Sequence, residues 1–324
     1  MAAARAGIGI DVGGTKIAAG VIGPDGTVGA RSRRDTPAAD ADAIARTIAE
    51  VVEELDAPGA PVGVGAAGHV DLEGVVRTSP NVPGWVREPL QARLEQTLEG
   101  RPVVVANDAD AAAWGEYRCG GAADVDGLVL LTVGTGVGGG VVIGDRLLRG
   151  ADGGAGEVGH LIVDEGGPRC NCGNLGCLEA HASGTAIGRK ARAAVAEGRV
   201  RSTSPLSGRA PGGAEVSRAA LDGDPDAREI IAEAGRWLGV GLGALGNVLD
   251  PPVFVIGGGV MAAGELLLAP AREAMVERLL GRETRAVPPV RASALGSDAG
   301  MIGAGLLAGE STAPRVSADG AGGA

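Results

Sequence analysis

The stretch GIGIDVGGTKIAAGVI occupies residues 7–22 and decides the fold class. Residues 7–12 form a short apolar run that ends at a Gly-Gly pair, and residues 16–22 form a second such run. This pattern predicts two strands joined by a tight glycine turn. The same order returns in GLVLLTVGTGVGGGVVI at residues 127–143. A pattern that occurs twice predicts a duplicated α/β unit and therefore two related lobes.

The length and composition agree with two lobes and exclude several classes of function. A chain of 324 residues exceeds the ~250–300 residues at which a single hydrophobic core stops growing. Its 29 basic and 40 acidic residues give a net charge of −11, which repels a phosphate backbone, so we expect no nucleic-acid partner. Aromatic residues make up only 2 % of the chain, which argues against stacking platforms for single strands.

The sequence favours a cytoplasmic protein that does not enter a membrane. No segment reaches the ~18 unbroken apolar residues of a membrane span. The apolar run after the first arginine is too short for a signal peptide. Four cysteines in a chain of this length do not make a disulfide scaffold, so their thiols are expected to be available for other roles.

Hydrophobic periodicity predicts further regular elements along the chain. Residues 70–77 are expected as a strand, and residues 40–55 as a helix with an acidic start that suits its dipole. Residues 225–249 are expected as a long helix that ends before Pro251, because the residue before a proline disfavours helical geometry. Residues 260–280 are expected as another helix.

The first glycine turn carries residue types that bind phosphate. Gly13 and Gly14 allow the backbone to approach an anion closely, and successive N–H groups can form an anion nest. Thr15 offers a hydroxyl, and Lys16 is one of only two lysines in the chain. Asp11 could hold Mg²⁺ through water. An ordinary hairpin turn is the alternative interpretation.

Two further glycine-rich turns follow buried strands. Residues 134–140 satisfy the dinucleotide pattern G-x-G-x-x-G, but that fingerprint requires a helix next, whereas the residues that follow are strand-like. A second phosphate-binding hairpin therefore fits better than a dinucleotide site. Residues 257–259 lie between a predicted strand and a predicted helix, where a ligand can meet a helix N-terminus. Close strand–helix packing explains these last glycines equally well.

Four residues have the composition and spacing of a metal centre: His160, Cys170, Cys172 and Cys177. One imidazole and three thiolates make a closed tetrahedral zinc set, which indicates a structural metal because a catalytic metal keeps one position open. Disulfide pairing would leave one of the three cysteines over. Cys119 stands apart and is expected to be a small buried residue.

Polar residues that could bind a hydroxylated ligand or move a proton surround these motifs. Glu157 and His160 are three residues apart and share one face of a helical turn. Glu179 follows the last cysteine of the metal set by two residues. Asn107 and Asp108 follow an apolar strand, at the end where α/β folds bind ligands. Asp108 could be only a helix cap, or it could be a general base.

With these motifs in place, the chain resembles the ROK family (repressors, open reading frames, kinases) and, within it, the bacterial ATP-dependent glucokinases. The three glycine turns resemble the phosphate and adenosine motifs of the wider sugar-kinase/actin/Hsp70 superfamily. The motifs that carry the resemblance are DVGGTK at 11–16, GAAGHVD at 65–71, SPNVPGW at 79–85, ND at 107–108, GTGVGGG at 134–140, EVGH at 157–160, CNCGNLGCLE at 170–179 and GGGV at 257–260. The resemblance implies an α/β, two-lobed, ribonuclease H-like duplicated fold with a structural zinc loop.

The resemblance also implies a role for each matching residue. Asp108 would take the proton from the 6-hydroxyl of the sugar. The sugar hydroxyls would be bound by Asn81, Asn107, Asp108, Glu157, His160 and Glu179, and one ring nitrogen of His160 would hold zinc. ATP, with catalytic Mg²⁺, would be bound by Asp11, Gly13, Gly14, Thr15, Lys16, Gly134, Thr135, Gly136, Val137, Gly138, Gly257, Gly258 and Gly259.

The implied domain organisation has lobes that close over the sugar. The N-terminal lobe would span residues 1–121 and receive the C-terminal helix 299–312. The larger C-terminal lobe would span residues 122–298 and carry the zinc loop and ATP-binding elements. Residues 313–324 are too poor in apolar side chains to order themselves. The resemblance suggests a homodimer or homotetramer that serves glycolysis.

Three hypotheses for function remain open from the sequence. The first is an ATP-dependent glucokinase with Asp108 as general base. The second is a ROK kinase for fructose, mannose, N-acetylmannosamine or N-acetylglucosamine, with polyphosphate also open as the donor. The third is a sugar-sensing regulator that acts through protein contacts. Family repressors carry an N-terminal DNA-binding domain, and the ten residues before Asp11 are too few for one.

Overall fold

The computed structural model describes residues 5–37, 40–80 and 82–311. The chain divides into two compact units. The first consists of Met1–Ala123, Arg149–Ala155 and Asp298–Ala324, and the second of Asp124–Leu148 and Gly156–Ser297. The expected tail 313–324 and the expected sugar ligand Asn81 lie outside the described residues.

The regular elements follow the sequence pattern closely. The strands are β1 (Gly7–Val12), β2 (Lys16–Ile22), β3 (Val28–Asp35), β4 (Val62–Ala66), β5 (His69–Val70), β6 (Val76–Thr78), β7 (Val86–Glu88), β8 (Val103–Asn107), β9 (Gly127–Val133), β10 (Val137–Ile143), β11 (Arg146–Leu147), β12 (Phe254–Gly257) and β13 (Val290–Ala292). The helices are α1 (Ala41–Glu54), α2 (Leu90–Thr97), α3 (Asp108–Cys119), α4 (Leu178–Ala182), α5 (Gly184–Ala196), α6 (Gly213–Leu221), α7 (Pro225–Leu249), α8 (Glu265–Arg278) and α9 (Ala299–Ser311).

Each unit is built on a sheet of the same design. The first sheet has the order β3-β2-β1-β4-β8 and the second has the order β11-β10-β9-β12-β13. In each sheet the first three strands of this order run antiparallel to their neighbours. The last two run parallel to the central strand, which is β1 in the first sheet and β9 in the second. The duplicated α/β unit predicted from residues 7–22 and 127–143 is therefore confirmed.

The core of the first unit forms where apolar faces of strands and helices meet. Ile44, Ile48 and Val51 on α1 are fully buried, at the spacing of one helix face. The side chain of Asp40 accepts hydrogen bonds from the first N–H groups of α1, which explains where the helix begins. The predicted helix 40–55 is thus confirmed to within a residue at each end.

Helix α9 packs directly on β1, β4 and α3 within the first unit. Small residues make this close approach possible. A Cβ atom on Gly9 of β1 would overlap the carbonyl oxygen of Met301 on α9, so only glycine fits there. This packing brings the start of α9 to the carboxyl end of β1.

Two predicted elements are wrong in detail. The strand expected over residues 70–77 is two short strands of a separate sheet, β5-β6-β7. Asp71 breaks the run, because its side chain accepts hydrogen bonds from the N–H groups of Glu73 and Val75 and closes a turn. The helix expected over residues 260–280 is a 3₁₀ turn followed by α8, since Gly264 between them has a positive φ of 56°.

The second unit buries its core between its sheet and helices α4 to α8. Phe254 on β12, Leu238 on α7 and Leu267 on α8 are fully buried in one cluster. Helix α7 ends at Leu249, as predicted, and Asp250 closes it in a left-handed conformation. Within the described residues, no helix is both long enough and apolar enough to cross a membrane.

Candidate active site and metal centre

The first glycine turn, Gly13–Thr15, joins β1 to β2. The N–H of Gly13 donates to the carbonyl oxygen of Lys16 at 3.0 Å and closes the turn. The hydroxyl of Thr36 donates to the carbonyl oxygen of Gly13 at 2.7 Å. Lys16 forms an ion pair with Asp35 on β3. The turn is therefore anchored through its carbonyl groups, and the charge of Lys16 is partly balanced beside it.

Asp11 lies near the carboxyl end of β1, against the first turn of α9. A Cβ atom on Gly300 would lie 3.4 Å from Cγ of Asp11. Burial, and after it the negative charge of Asp108, raise the pKa of Asp11 from 3.8 to about 7. A divalent cation bound here would favour the ionised form, since it offsets both causes. The carboxyl groups of Asp11 and Asp108 therefore influence each other at this edge of the sheet.

Asn107 and Asp108 stand where β8 passes into α3. The N-cap of α3 is Asn107, whose Oδ1 accepts hydrogen bonds from Ala109 at 2.8 Å and from Asp110 at 3.0 Å. The expectation that Asp108 caps this helix is therefore wrong, because the chain enters the helix one residue earlier. Asp108 is instead the first helical residue.

The amide of Asn107 also holds Asp108 in place. Its Nδ2 donates to the carbonyl oxygen of Gly68 at 2.9 Å and to Oδ1 of Asp108 at 3.0 Å. The N–H of Ala109 lies 3.0 Å from the same carboxylate oxygen. One oxygen of Asp108 is thus fixed by two donors, and the carboxylate is anchored at the carboxyl end of a parallel strand.

The predicted metal ligands come together in the second unit. The ligand atoms of His160, Cys170, Cys172 and Cys177 all lie within 4.8 Å of one another. The Sγ of Cys170 is 3.7 Å from Nδ1 of His160, and the Sγ of Cys172 is 3.6 Å from the Sγ of Cys177. Zn–S and Zn–N bonds of ~2.0–2.3 Å in a tetrahedron separate ligands by roughly 3.5–3.8 Å. These residues therefore fit a closed structural zinc set.

His160 and Glu157 share one face of a 3₁₀ turn, Val158–His160, that begins just after Glu157. The Nδ1 of His160 faces the cysteines, and its Nε2 lies 4.0 Å from Oε2 of Glu157. Both side chains are partly exposed. The ring can therefore serve a metal through one nitrogen and a ligand hydroxyl through the other.

Glu179 on α4 connects the metal set to the second glycine turn, Gly134–Gly136. Its Oε1 lies 3.4 Å from Sγ of Cys170, and its Oε2 accepts a hydrogen bond from the N–H of Val137 at 3.0 Å. A Cβ atom on Gly136 would overlap Oε2, so glycine is required there for this contact. The sequence pattern did not indicate this link.

The second glycine turn joins β9 to β10 as an antiparallel hairpin. No helix follows it, so the prediction that it is not a dinucleotide fingerprint is confirmed. The third turn, Gly257–Gly259, leads from β12 into a 3₁₀ turn. Gly258 has a φ of 89°, a conformation that favours glycine. Both turns belong to the second unit.

The structure places Asp11, Lys16, Asn107 and Asp108 in the first unit, and the metal set with Glu157 and Glu179 in the second.

Two threonines that hold the glycine turns carried no signal in the sequence. Thr36 anchors the first glycine turn, and Thr185 holds the second through a hydrogen bond of 2.7 Å to the carbonyl oxygen of Thr135. A threonine that binds a carbonyl group many residues away has no local pattern by which to find it.

Comparison with known proteins agrees with this geometry. The profile of the ROK family matches residues 7–311. The glucokinase of Streptomyces coelicolor is 42 % identical over 94 % of this chain and 97 % of its own length. The N-acetylmannosamine kinase of Escherichia fergusonii is 37 % identical over 92 % of this chain and 97 % of its own length.

A solved structure is similar to this chain over nearly the whole length of both. The crystal structure of a ROK family glucokinase from Streptomyces griseus, in complex with glucose and AMPPNP, has a TM-score of 0.78 and 42 % identity to this chain. The similarity covers 94 % of this chain and 99 % of that one. Sequence motifs, paired sheets and relatives all lead to one conclusion: the chain belongs to the ROK family and is a sugar kinase of that family.

Proposed function

We propose that this protein is an ATP-dependent glucokinase that transfers the γ-phosphoryl group of ATP to the 6-hydroxyl of glucose. The 42 % identity to a glucokinase supports the choice of sugar, and the AMPPNP of the Streptomyces griseus structure supports ATP as the donor. The observation that carries the proposal is the anchored carboxylate of Asp108 at the carboxyl end of β8.

Asp108 is proposed as the general base. Its carboxylate takes the proton of the 6-hydroxyl while the hydroxyl oxygen attacks the γ-phosphorus in line. The bond from the γ-phosphorus to its bridging oxygen breaks, and ADP leaves with that electron pair. The two donors on Oδ1 orient the carboxylate before the sugar binds, so less freedom has to be lost in the transition state.

Three of the proposed sugar ligands, Glu157, His160 and Glu179, belong to the second unit. Glu179 and His160 are tied to the metal set, and Glu157 adjoins it. When bound, zinc would supply rigidity to this loop, because the four ligands leave no open coordination position. Asn107 reaches the sugar only by giving up one of its present hydrogen bonds, so its first role here is to orient Asp108. Asn81 stays a prediction.

The three glycine turns are proposed to bind ATP. The first two turns would meet its phosphates with backbone N–H groups, and Gly257–Gly259 would face the adenosine. Asp11 would hold Mg²⁺, which neutralises charge on the transferring phosphoryl group. We also propose that the two units correspond to the two lobes of the family, and that the protein is a cytoplasmic homodimer or homotetramer serving glycolysis.

A sugar panel tests this proposal. Purified protein with Mg²⁺ and ATP is offered glucose, fructose, mannose, N-acetylglucosamine and N-acetylmannosamine, and both ADP and the sugar phosphate are measured. We expect glucose to have the highest kcat/KM and to yield glucose 6-phosphate. N-Acetylmannosamine is the second candidate, because a relative at 37 % identity is a kinase of that sugar.

Other results would point elsewhere. A preference for an N-acetylated sugar would replace the substrate and leave the site assignments standing. Turnover with polyphosphate and not with ATP would replace the donor. Glucose binding without turnover by either donor would favour the sugar-sensing regulator.

A further inference from the structure

The second glycine turn is held by one short segment of the same unit, residues 179–185, which we call the clamp segment. The segment runs from α4 into the first residues of α5 and begins two residues after Cys177. It makes three hydrogen bonds to the turn or its next residue. These are Val137 N–H to Glu179 Oε2 at 3.0 Å, Gly184 N–H to the Gly134 carbonyl at 2.8 Å, and the Thr185 hydroxyl to the Thr135 carbonyl at 2.7 Å.

The bonds from Gly184 and Thr185 determine where the turn presents its donors. In a planar trans peptide, the carbonyl and the N–H of the next residue point in opposite directions. Fixing the carbonyl of Gly134 therefore fixes the N–H of Thr135 on the opposite side of the turn. Fixing the carbonyl of Thr135 does the same for the N–H of Gly136. Within the described part of the chain, neither of these N–H groups has a protein acceptor.

Because both carbonyl groups bond to adjacent residues, Gly184 and Thr185, both N–H groups face away from the clamp segment, and successive N–H groups in such a turn can bind an anion. We propose that Thr185 is a positioning residue for the phosphoryl donor: its hydroxyl orients the Thr135–Gly136 peptide so that its N–H meets a phosphate of ATP. The inference rests on the proposed use of ATP. Thr185 acts through the backbone and makes no contact with the sugar in this scheme.

The clamp segment also explains how the metal set can influence the donor site. Glu179 is in contact with Cys170 and with Val137, and Cys177 precedes α4 directly. A disordered metal loop would release the clamp segment at its first residue. Thr185, at the other end of the segment, can be changed without touching a metal ligand or a proposed sugar ligand.

The test compares Thr185→Val, which removes the hydroxyl, with Thr185→Ser, which keeps it. Thr97→Val is the matched control, because Thr97 also donates to a backbone carbonyl, at 2.8 Å, on an exposed helix in the first unit. Steady-state kinetics give the KM for ATP and the KM for glucose separately. Competition by adenosine and by ADP against ATP separates nucleoside binding from phosphate binding.

We expect Thr185→Val to raise the KM for ATP by about 2- to 10-fold, the range for loss of one neutral hydrogen bond. The inhibition constant of ADP should rise with it, whereas the KM for glucose and the inhibition constant of adenosine stay unchanged. Thr185→Ser and Thr97→Val should behave as wild type. Thr185→Ala provides the same deletion if the valine variant does not fold.

Three results would overturn the inference. One is an unchanged KM for ATP in Thr185→Val. Another is a parallel rise in the KM values for ATP and glucose, which indicates general loosening. The third is weaker adenosine binding, which indicates a direct nucleoside contact. If the wild type fails to phosphorylate glucose, only the proposed function fails, and the ATP and ADP affinities of the variants, measured by calorimetry, still decide the role of Thr185.

Discussion

The buried carboxyl group of Asp11 should make the nucleotide-free protein less stable as the pH rises. Its pKa is 3.8 in an ordinary environment and about 7 in the fold. Between these values the folded protein holds a proton that the unfolded chain has released, so the free energy of unfolding falls with increasing pH. Below the ordinary pKa the group has no effect, and above about pH 7 the full penalty is present.

The size of the effect follows from the shift. About three pKa units correspond to about 4 kcal/mol at 1.36 kcal/mol per unit. At pH 8 a penalty of about 4 kcal/mol is therefore present in the wild type. Asp11→Asn removes the charge while keeping the shape, so it should remove most of this penalty.

The assay is calorimetric unfolding of wild type and Asp11→Asn at pH 5 and pH 8, without nucleotide or divalent cation. At pH 8 the variant should melt several degrees above wild type, since 1 kcal/mol shifts the midpoint by ~2–4 °C in a domain of this size. At pH 5 the gap should shrink to about two-fifths of its value at pH 8. Asp222→Asn, at an exposed position in the second unit, is the control for the exchange of Asp for Asn itself, and its melting temperature is compared with wild type under the same conditions.

Two outcomes would refute this reasoning. A variant that is less stable than wild type at pH 8 would mean that the ionised carboxylate of Asp11 stabilises the fold. A gap of equal size at both pH values would mean that the group does not titrate in this window. If Asp11 holds Mg²⁺ as proposed, the same variant should also lose activity, so stability and turnover should change in opposite directions.

Three further predictions concern the metal, the second glycine turn and the cap of α3. Metal analysis should find about one zinc per chain. Cys172→Ser should lose both the metal and the affinity for glucose, whereas the control Cys119→Ser should lose neither. A metal-free preparation with full activity would contradict the structural role of zinc. Gly136→Ala should raise both the KM for ATP and the KM for glucose, because the added Cβ displaces the Glu179 carboxylate, which holds the N–H of Val137 and is a proposed sugar ligand; an unchanged KM for glucose would count against that role of Glu179. Asn107→Asp keeps the oxygen that caps α3 but removes the two N–H donors of the Asn107 amide, one of which orients Asp108. We therefore expect kcat to fall while the melting temperature changes little. Kinetics and thermal unfolding of the same samples test this.

The elements that the sequence predicted best are those decided by local pattern. The hairpins at residues 7–22 and 127–143 follow from apolar runs around glycine, and four metal ligands follow from residue types with restricted chemistry. Local pattern was insufficient where two residues compete for one position. Asn107 and Asp108 are both residue types that favour the N-cap position. The backbone geometry at the end of β8 decides that Asn107 takes it.

Contacts between distant segments could not be predicted from one sequence. The bond from Val137 to Glu179 depends on how α4 packs beside β10, and no periodicity encodes it. The same holds for Thr36 and Thr185, which bind backbone carbonyls of the glycine turns. The raised pKa of Asp11 depends on burial, and α9, which lies against Asp11, is almost 300 residues away in the sequence.

The most direct test of the central claim is the rate of glucose 6-phosphate formation by Asp108→Asn. Turnover at saturating ATP and glucose is compared with wild type, and glucose affinity is measured by calorimetry on the same samples. If Asp108 is the general base, kcat falls by ~10²–10⁴-fold while the dissociation constant of glucose stays within about threefold of wild type. A variant that retains near-normal turnover would contradict the account.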